Sequence, residues 1–284
     1  MLAHTFWFSG RLWDNNDMKP FDLEDLPPDI IESVRDRLLD QSMRVDGFLS
    51  PMLALDAANQ TEPHREWFAV AQDLNRLSLL LWQDTEGRGI WLGPDALVVR
   101  LIARSNDTFA GAIILAERGL TIESQNLSRV IYECAFWIGY FIKNREAAAE
   151  ALLEDDQFSR VKLGLEPLGE RKGKGKRAPQ PQTLSERAEM GDDYQFYSAL
   201  CGIAGHASVS SLGHYGAGHE DGSFGLSFGP DIDGMPRALW FAIRAQIVAL
   251  RKFSIAARNG AEAYEVAISN IEQRWFALSQ SMPQ

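Results

Sequence analysis

Arg129 and Glu133 stand four residues apart in LSRVIYECAFWIGYF, residues 127–141, the most apolar stretch of the chain. Helical spacing puts them on one face, and Asn126 extends the same polar stripe by one turn. Ile131, Cys134, Ala135, Trp137, Ile138 and Phe141 cover much of the remaining circumference. A helix with so little polar surface is buried on several sides. An exposed i,i+4 ion pair contributes only about 0.3–0.5 kcal/mol, and Arg before Glu is the weaker order. Surface electrostatics therefore barely explain the pair. Buried, it costs desolvation unless hydrogen bonds satisfy both groups. The stripe reads as a strut between helices or as part of a site.

A second constellation lies in YQFYSALCGIAGHAS, residues 194–208. Tyr197, His206 and Ser208 are its polar members, set among small residues that permit close helix approach. A histidine facing a cleft is the natural titrating group near neutral pH. With Arg129 to stabilise phosphate charge and Glu133 to orient Arg129 or His206, the set has the parts for metal-independent phosphodiester chemistry. Packed away from solvent, the same residues form a hydrogen-bonded network that holds helices in register.

Other chemistries find little footing. His206, His214 and His219 match no compact zinc spacing, so no metal and no cofactor are expected. There is no GxSxG nucleophile turn, no P-loop and no Rossmann glycine fingerprint. RKGKGKR, residues 171–177, carries five cations but no aromatic residue to stack on bases, and reads as a solvated loop with only weak support for RNA. Cys134 and Cys201 belong to no CxxC and read as reduced thiols.

The elements that position these residues are mainly helical. The chain has 284 residues, 45% of them hydrophobic, and a net charge of −11. That composition is globular, and the acidic balance argues against a broad nucleic-acid surface. The N-terminus lacks the pattern of a signal peptide, and the longest apolar run near the stripe, CAFWIGYFI, has nine residues against the ~20 a membrane span needs. A cytoplasmic protein without membrane contact is expected. Helical periodicity is predicted from Pro28, from about Pro63 to Gln83, and from Pro94 to a stop at Gly119. Thr121 is expected to cap the next pattern, which reads either as one helix to about Gly164 or as two with a break near Asn144. Helical pattern resumes at Thr183, and two helices close the chain. Between them, residues 214–230 are rich in glycine around Asp221-Gly222, which predicts a β-hairpin.

The fold class expected is thus mainly α: an antiparallel helical bundle with one small β-hairpin near residues 214–230. Residues 1–93 are expected to form an N-terminal arm and two-helix region, and residues 94–284 the helical core domain.

LSRVIYE followed by YQFYSALCGIAGHAS, a glycine-rich hairpin and a closing helix resembles the bacterial DUF5677 family. That resemblance pairs Arg129 and Glu133 with Tyr197, His206 and Ser208, and implies a helical fold of unknown function. A more distant analogy runs to the HEPN ribonucleases of toxin–antitoxin and phage-defence systems. Their motif is an Arg followed four to six residues later by His, and none of the five histidines here has one. Three functions are therefore expected to compete. The leading one is a module that forms a homodimer or binds a partner protein through a buried Arg/Glu/Tyr/His network. The others are a nuclease-like enzyme using Arg129, Glu133 and His206, and a small-ligand sensor with the same cluster lining a pocket.

Overall fold

Thirteen of the 23 residues from Thr121 to Lys143 are buried, and so are fourteen of the 22 from Met235 to Ala256. These two helices pack on each other more extensively than any other pair. They form the middle of the fold because their apolar residues wrap nearly all round, so neither has a side to give to water. The computed structural model describes residues 45–86, 93–165, 175–205, 212, 215–218, 224–226, 229–256 and 261–282. The arm over residues 1–26 and the helix expected from Pro28 lie outside them, apart from the latter's last residues.

The chain divides into two compact units, Met1–Met52 and Leu53–Gln284. In the first, a 3-10 turn spans Gly47–Leu49. Helix α1 runs over Pro51–Thr61 and carries the boundary. The second unit continues with α2 (Arg65–Glu86), α3 (Pro94–Glu117), α4 (Thr121–Lys143), α5 (Arg145–Lys162), α6 (Pro181–Arg187) and α7 (Gly191–Ile203). After two short strands come α8 (Met235–Ala256) and α9 (Ala261–Ser279). Among the described residues no helix is long and apolar enough to cross a membrane.

Local chemistry sets the turns. Leu120 N–H bonds Leu115 O and Gly119 N–H bonds Ala116 O, both at 2.9 Å, which is the Schellman closure of α3. Gly119 has φ +70°, and a Cβ there would stand 2.6 Å from Pro230. Glycine is thus required both by the turn and by the chain that crosses it. Thr121 does not cap α4. It is the first helical residue, and its hydroxyl donates instead to Asp231 Oδ2 at 2.6 Å. Of the two readings of that pattern, the structure has the break at Asn144, whose side chain accepts Ala147 N–H and caps α5. Helices α3 and α4 run antiparallel: Gly111 lies against Leu127, and Asp95 near the start of α3 pairs with Arg145 just past the end of α4.

The β-hairpin expected over residues 214–230 needs correction. Antiparallel pairing joins only Gly216–Gly218 to Phe224–Leu226, with Gly216 opposite Leu226. His214, His219 and Asp221-Gly222 lie outside the described residues. Three residues a side is short of the usual five or so, and an isolated two-stranded pair is marginal in water. Half the paired positions are glycine, which has no side chain to pack across the pair. The pairing is a bridge within a connecting segment, not an element of the architecture, so the described fold is an all-α bundle.

At the centre of that bundle Gln246 of α8 is fully buried. Its amide nitrogen donates to Ser78 of α2 at 3.1 Å and to Asn106 of α3 at 2.7 Å. Its carbonyl accepts from Ser105 of α3 at 2.7 Å. Both donors and the acceptor of the side chain are engaged, so burial leaves no group unpaired.

Candidate functional site

The polar stripe of α4 faces α7. Arg129 and Glu133 form no ion pair with each other among the described residues; each reaches toward α7 instead. Glu133 Oε1 accepts the hydroxyl of Tyr197 at 3.0 Å. Arg129 Nη1 occupies the space that Gly205 leaves just past the end of α7, where a Cβ would stand 2.6 Å from it. A cation there meets the negative end of the helix dipole. The spacing of four therefore matches two contacts along α7 rather than one contact within α4.

Part of the stripe is unsatisfied. Arg129 Nε and Asn126 Oδ1 are buried and have no hydrogen-bond partner among the described residues. Of the network expected around Arg129, Glu133, Tyr197 and His206, the described residues include one bond, Tyr197 to Glu133. His206 and Ser208 lie outside the described residues.

Glu133 also lines a cavity of about 350 Å³. Four elements build it: Leu101 and Arg104 from α3, Val130 and Trp137 from α4, Leu152 and Asp155 from α5, and the segment 177–181 that leads into α6. The last is anchored by Ala178 N–H, which donates to Asp155 Oδ1 at 2.6 Å. Arg177 comes from the end of the basic loop; Arg171, Lys172 and Lys174 lie outside the described residues. Arg104 and Arg177 are exposed, Glu133 and Asp155 half-buried, and Cys134 buried. Among the described residues none of these four charged side chains makes an ion pair. The two cations that line the cavity are thus more exposed than the two carboxylates, and the rest of its described wall is largely apolar.

Ionisation favours binding over attack here. Burial, and then the neighbouring Glu133 carboxylate, hold the Tyr197 phenol above its ordinary range, so it stays a donor to Glu133. Burial pushes the Cys134 thiol up to about 12, against the pull of Arg104. Neither group is a nucleophile near neutral pH. Cys134 and Cys201 are both free thiols.

A second charged cluster escaped the sequence reading. Arg244 of α8 donates to Glu272 of α9 at 3.0 Å and to Asp193 of α7 at 3.2 Å. Its guanidinium lies 5.5 Å from the Phe196 ring and 5.7 Å from the Trp275 ring. Arg251, two turns on, bonds Glu265 at 3.0 Å and Glu272 at 2.8 Å. A signal was there: Arg244 and Arg251 are seven apart, as are Glu265 and Glu272 on the next helix. Two antiparallel neighbours with matched sevenfold spacing bring such charges into register.

No curated protein and no solved structure matches the chain. A family model does match, over residues 95–224, which hold the cavity, the stripe and Tyr197. The match carries nothing about HEPN ribonucleases. That model is DUF5677, a family of unknown function, and the chain is similar to it across that span.

Proposed function

We propose that the protein is a small-molecule-binding module whose site is the cavity beside Glu133. One observation carries the reading. The Glu133 carboxylate is held from the α7 side by Tyr197 while it lines a cavity whose charged side chains have no ionic partners among the described residues. At about 350 Å³ the space is near the lower end of the ~300–1,000 Å³ usual for ligand pockets, which suits a small ligand. A cytoplasmic place belongs to the same reading and accords with the two free thiols.

The test is thermal melting against a panel of small polar compounds at millimolar concentration, on wild type and Glu133→Gln. At least one compound is expected to raise the melting temperature of wild type, with most of that shift lost in the variant. A flat panel, or shifts that persist unchanged in the variant, would overturn the reading.

A second reading, a homodimeric or partner-binding module, is favoured by the Tyr197–Glu133 bond, since that bond ties α4 to α7 as a strut would. Light scattering checks its dimeric form, which requires a dimer at micromolar concentration. Nuclease-like chemistry by Arg129, Glu133 and His206, with a phage-defence role, draws no comparable support: Arg129 and Glu133 are directed to different points of α7.

A further inference from the structure

Resting on the small-molecule reading of the cavity, we infer that its ligand is a compact zwitterion: an amine and a carboxylate on an apolar body, as in an apolar α-amino acid. Among the described residues its lining carries two guanidinium and two carboxylate groups, whose formal charges sum to zero. A simple anion would satisfy the arginines and leave Glu133 and Asp155 facing it. A simple cation would do the reverse. Only a ligand with both charges meets both pairs, because like charges brought together in a partly desolvated site are unfavourable.

The charges are also sorted by exposure. Arg104 and Arg177 are exposed, while Glu133 and Asp155 are half-buried. Glu133 has one oxygen occupied by Tyr197, and Asp155 has one occupied by Ala178 N–H. Each carboxylate keeps its other oxygen for an incoming donor. A ligand would therefore enter amine first, with its carboxylate left beside the two more exposed arginines, whose planar forks suit a carboxylate. Leu101, Val130, Trp137 and Leu152 supply the apolar walls. The volume of about 350 Å³ restricts the body to a single apolar side chain.

Isothermal titration tests the inference with L-phenylalanine and L-leucine, set against 3-phenylpropanoate, which lacks the amine, and phenethylamine, which lacks the carboxylate. At least one amino acid is expected to bind tenfold or more tighter than both one-charge analogues. Arg177→Ala, a change at an exposed position, is expected to erase most of the advantage over phenethylamine and to keep the advantage over 3-phenylpropanoate. Equal binding of phenylalanine and 3-phenylpropanoate would overturn the zwitterion and leave the cavity a small-anion site. No binding by any of the four would also overturn it, while the small-molecule reading would still stand or fall on the wider melting panel.

Discussion

Glu133 and Arg244 both project from central helices of the same bundle, and their surroundings differ in one respect. Around Arg244 the opposite charges are close and bonded: both terminal nitrogens reach a carboxylate, and two aromatic rings flank the guanidinium. Around Glu133 two arginines and two carboxylates share a cavity without a single ion pair among the described residues. Side chains that exist to hold helices together close on one another, because an unpaired buried charge is costly. Side chains that stay apart in a cavity leave their interactions for something else. That contrast supports the proposal that Arg244 acts as a strut of the fold and Glu133 as part of a site; a strut built on Arg129 and Glu133 would give the reverse.

The contrast breaks most readily at Arg244. Its side chain, with those of Asp193 and Glu272, exposes 22%, 18% and 26% of its surface, so solvent screens the cluster only partly. Arg244→Ala should cost about 3–5 kcal/mol, the usual penalty for leaving a buried partner charge unpaired, read as a lower midpoint in urea unfolding. Burial already pushes the Asp193 carboxyl up, against the pull of Arg244. Adding Asp193→Asn to the Arg244 variant should therefore recover part of the loss, and a double-mutant cycle measures how much. A loss below 1 kcal/mol for the single change would remove the distinction between strut and site.

At the other region the expected cost is smaller. Tyr197→Phe removes the hydroxyl that holds Glu133 and leaves the ring in its contacts with Phe136 and Tyr194. Because the freed carboxylate still faces a cavity open to water, the loss should be about 0.5–1.5 kcal/mol. Ligand-induced shifts should fall as well, since Glu133 is no longer oriented. A loss as large as that of Arg244→Ala would make Tyr197–Glu133 a strut and favour the partner-binding module.

How much of this was legible in the sequence follows from the range of each interaction. Gly119, Asn144 and Pro94 mark helix ends because capping is decided within a few residues; the ends at Pro94 and Gly119 fall where they were expected, and the break at Asn144 is one of the two readings its pattern allowed. Thr121 was misread because a long-range acceptor, Asp231, took its hydroxyl. The stripe was visible as a face, but spacing alone could not show that its members reach past each other to α7. The cavity was not legible at all. Arg104, Glu133, Asp155 and Arg177 come from four separate elements, and Arg177 looked like the tail of a solvated basic run. The glycine-rich segment read as a hairpin because its turn residues fit one, while too few side chains were available to hold the strands.

The smallest effect separates the two kinds of charged contact by the sign of their pH dependence. Asp73 of α2 bonds Arg274 of α9 at 2.7 Å and Arg76 at 3.2 Å, at a more exposed position. The Arg274 hydrogen bond holds its carboxyl below the ordinary range, against a lesser push from burial. Its contribution is complete above about pH 4, where an unfolded aspartate is already ionised, and fades as pH falls through the lower folded value. Asp193 runs the other way. Its carboxyl is raised in the fold, so the stability linked to its proton is present below about pH 4 and is lost as pH rises through the folded value. Asp73→Asn should flatten the acid limb of a melting-temperature profile by no more than about 1 kcal/mol, and added salt should do the same. Asp193→Asn should leave that limb alone and flatten the slope above it. If both variants changed the same limb, the Arg244 cluster would be behaving as a solvated surface pair, and Glu133 would lose the reference against which its unpaired state has meaning.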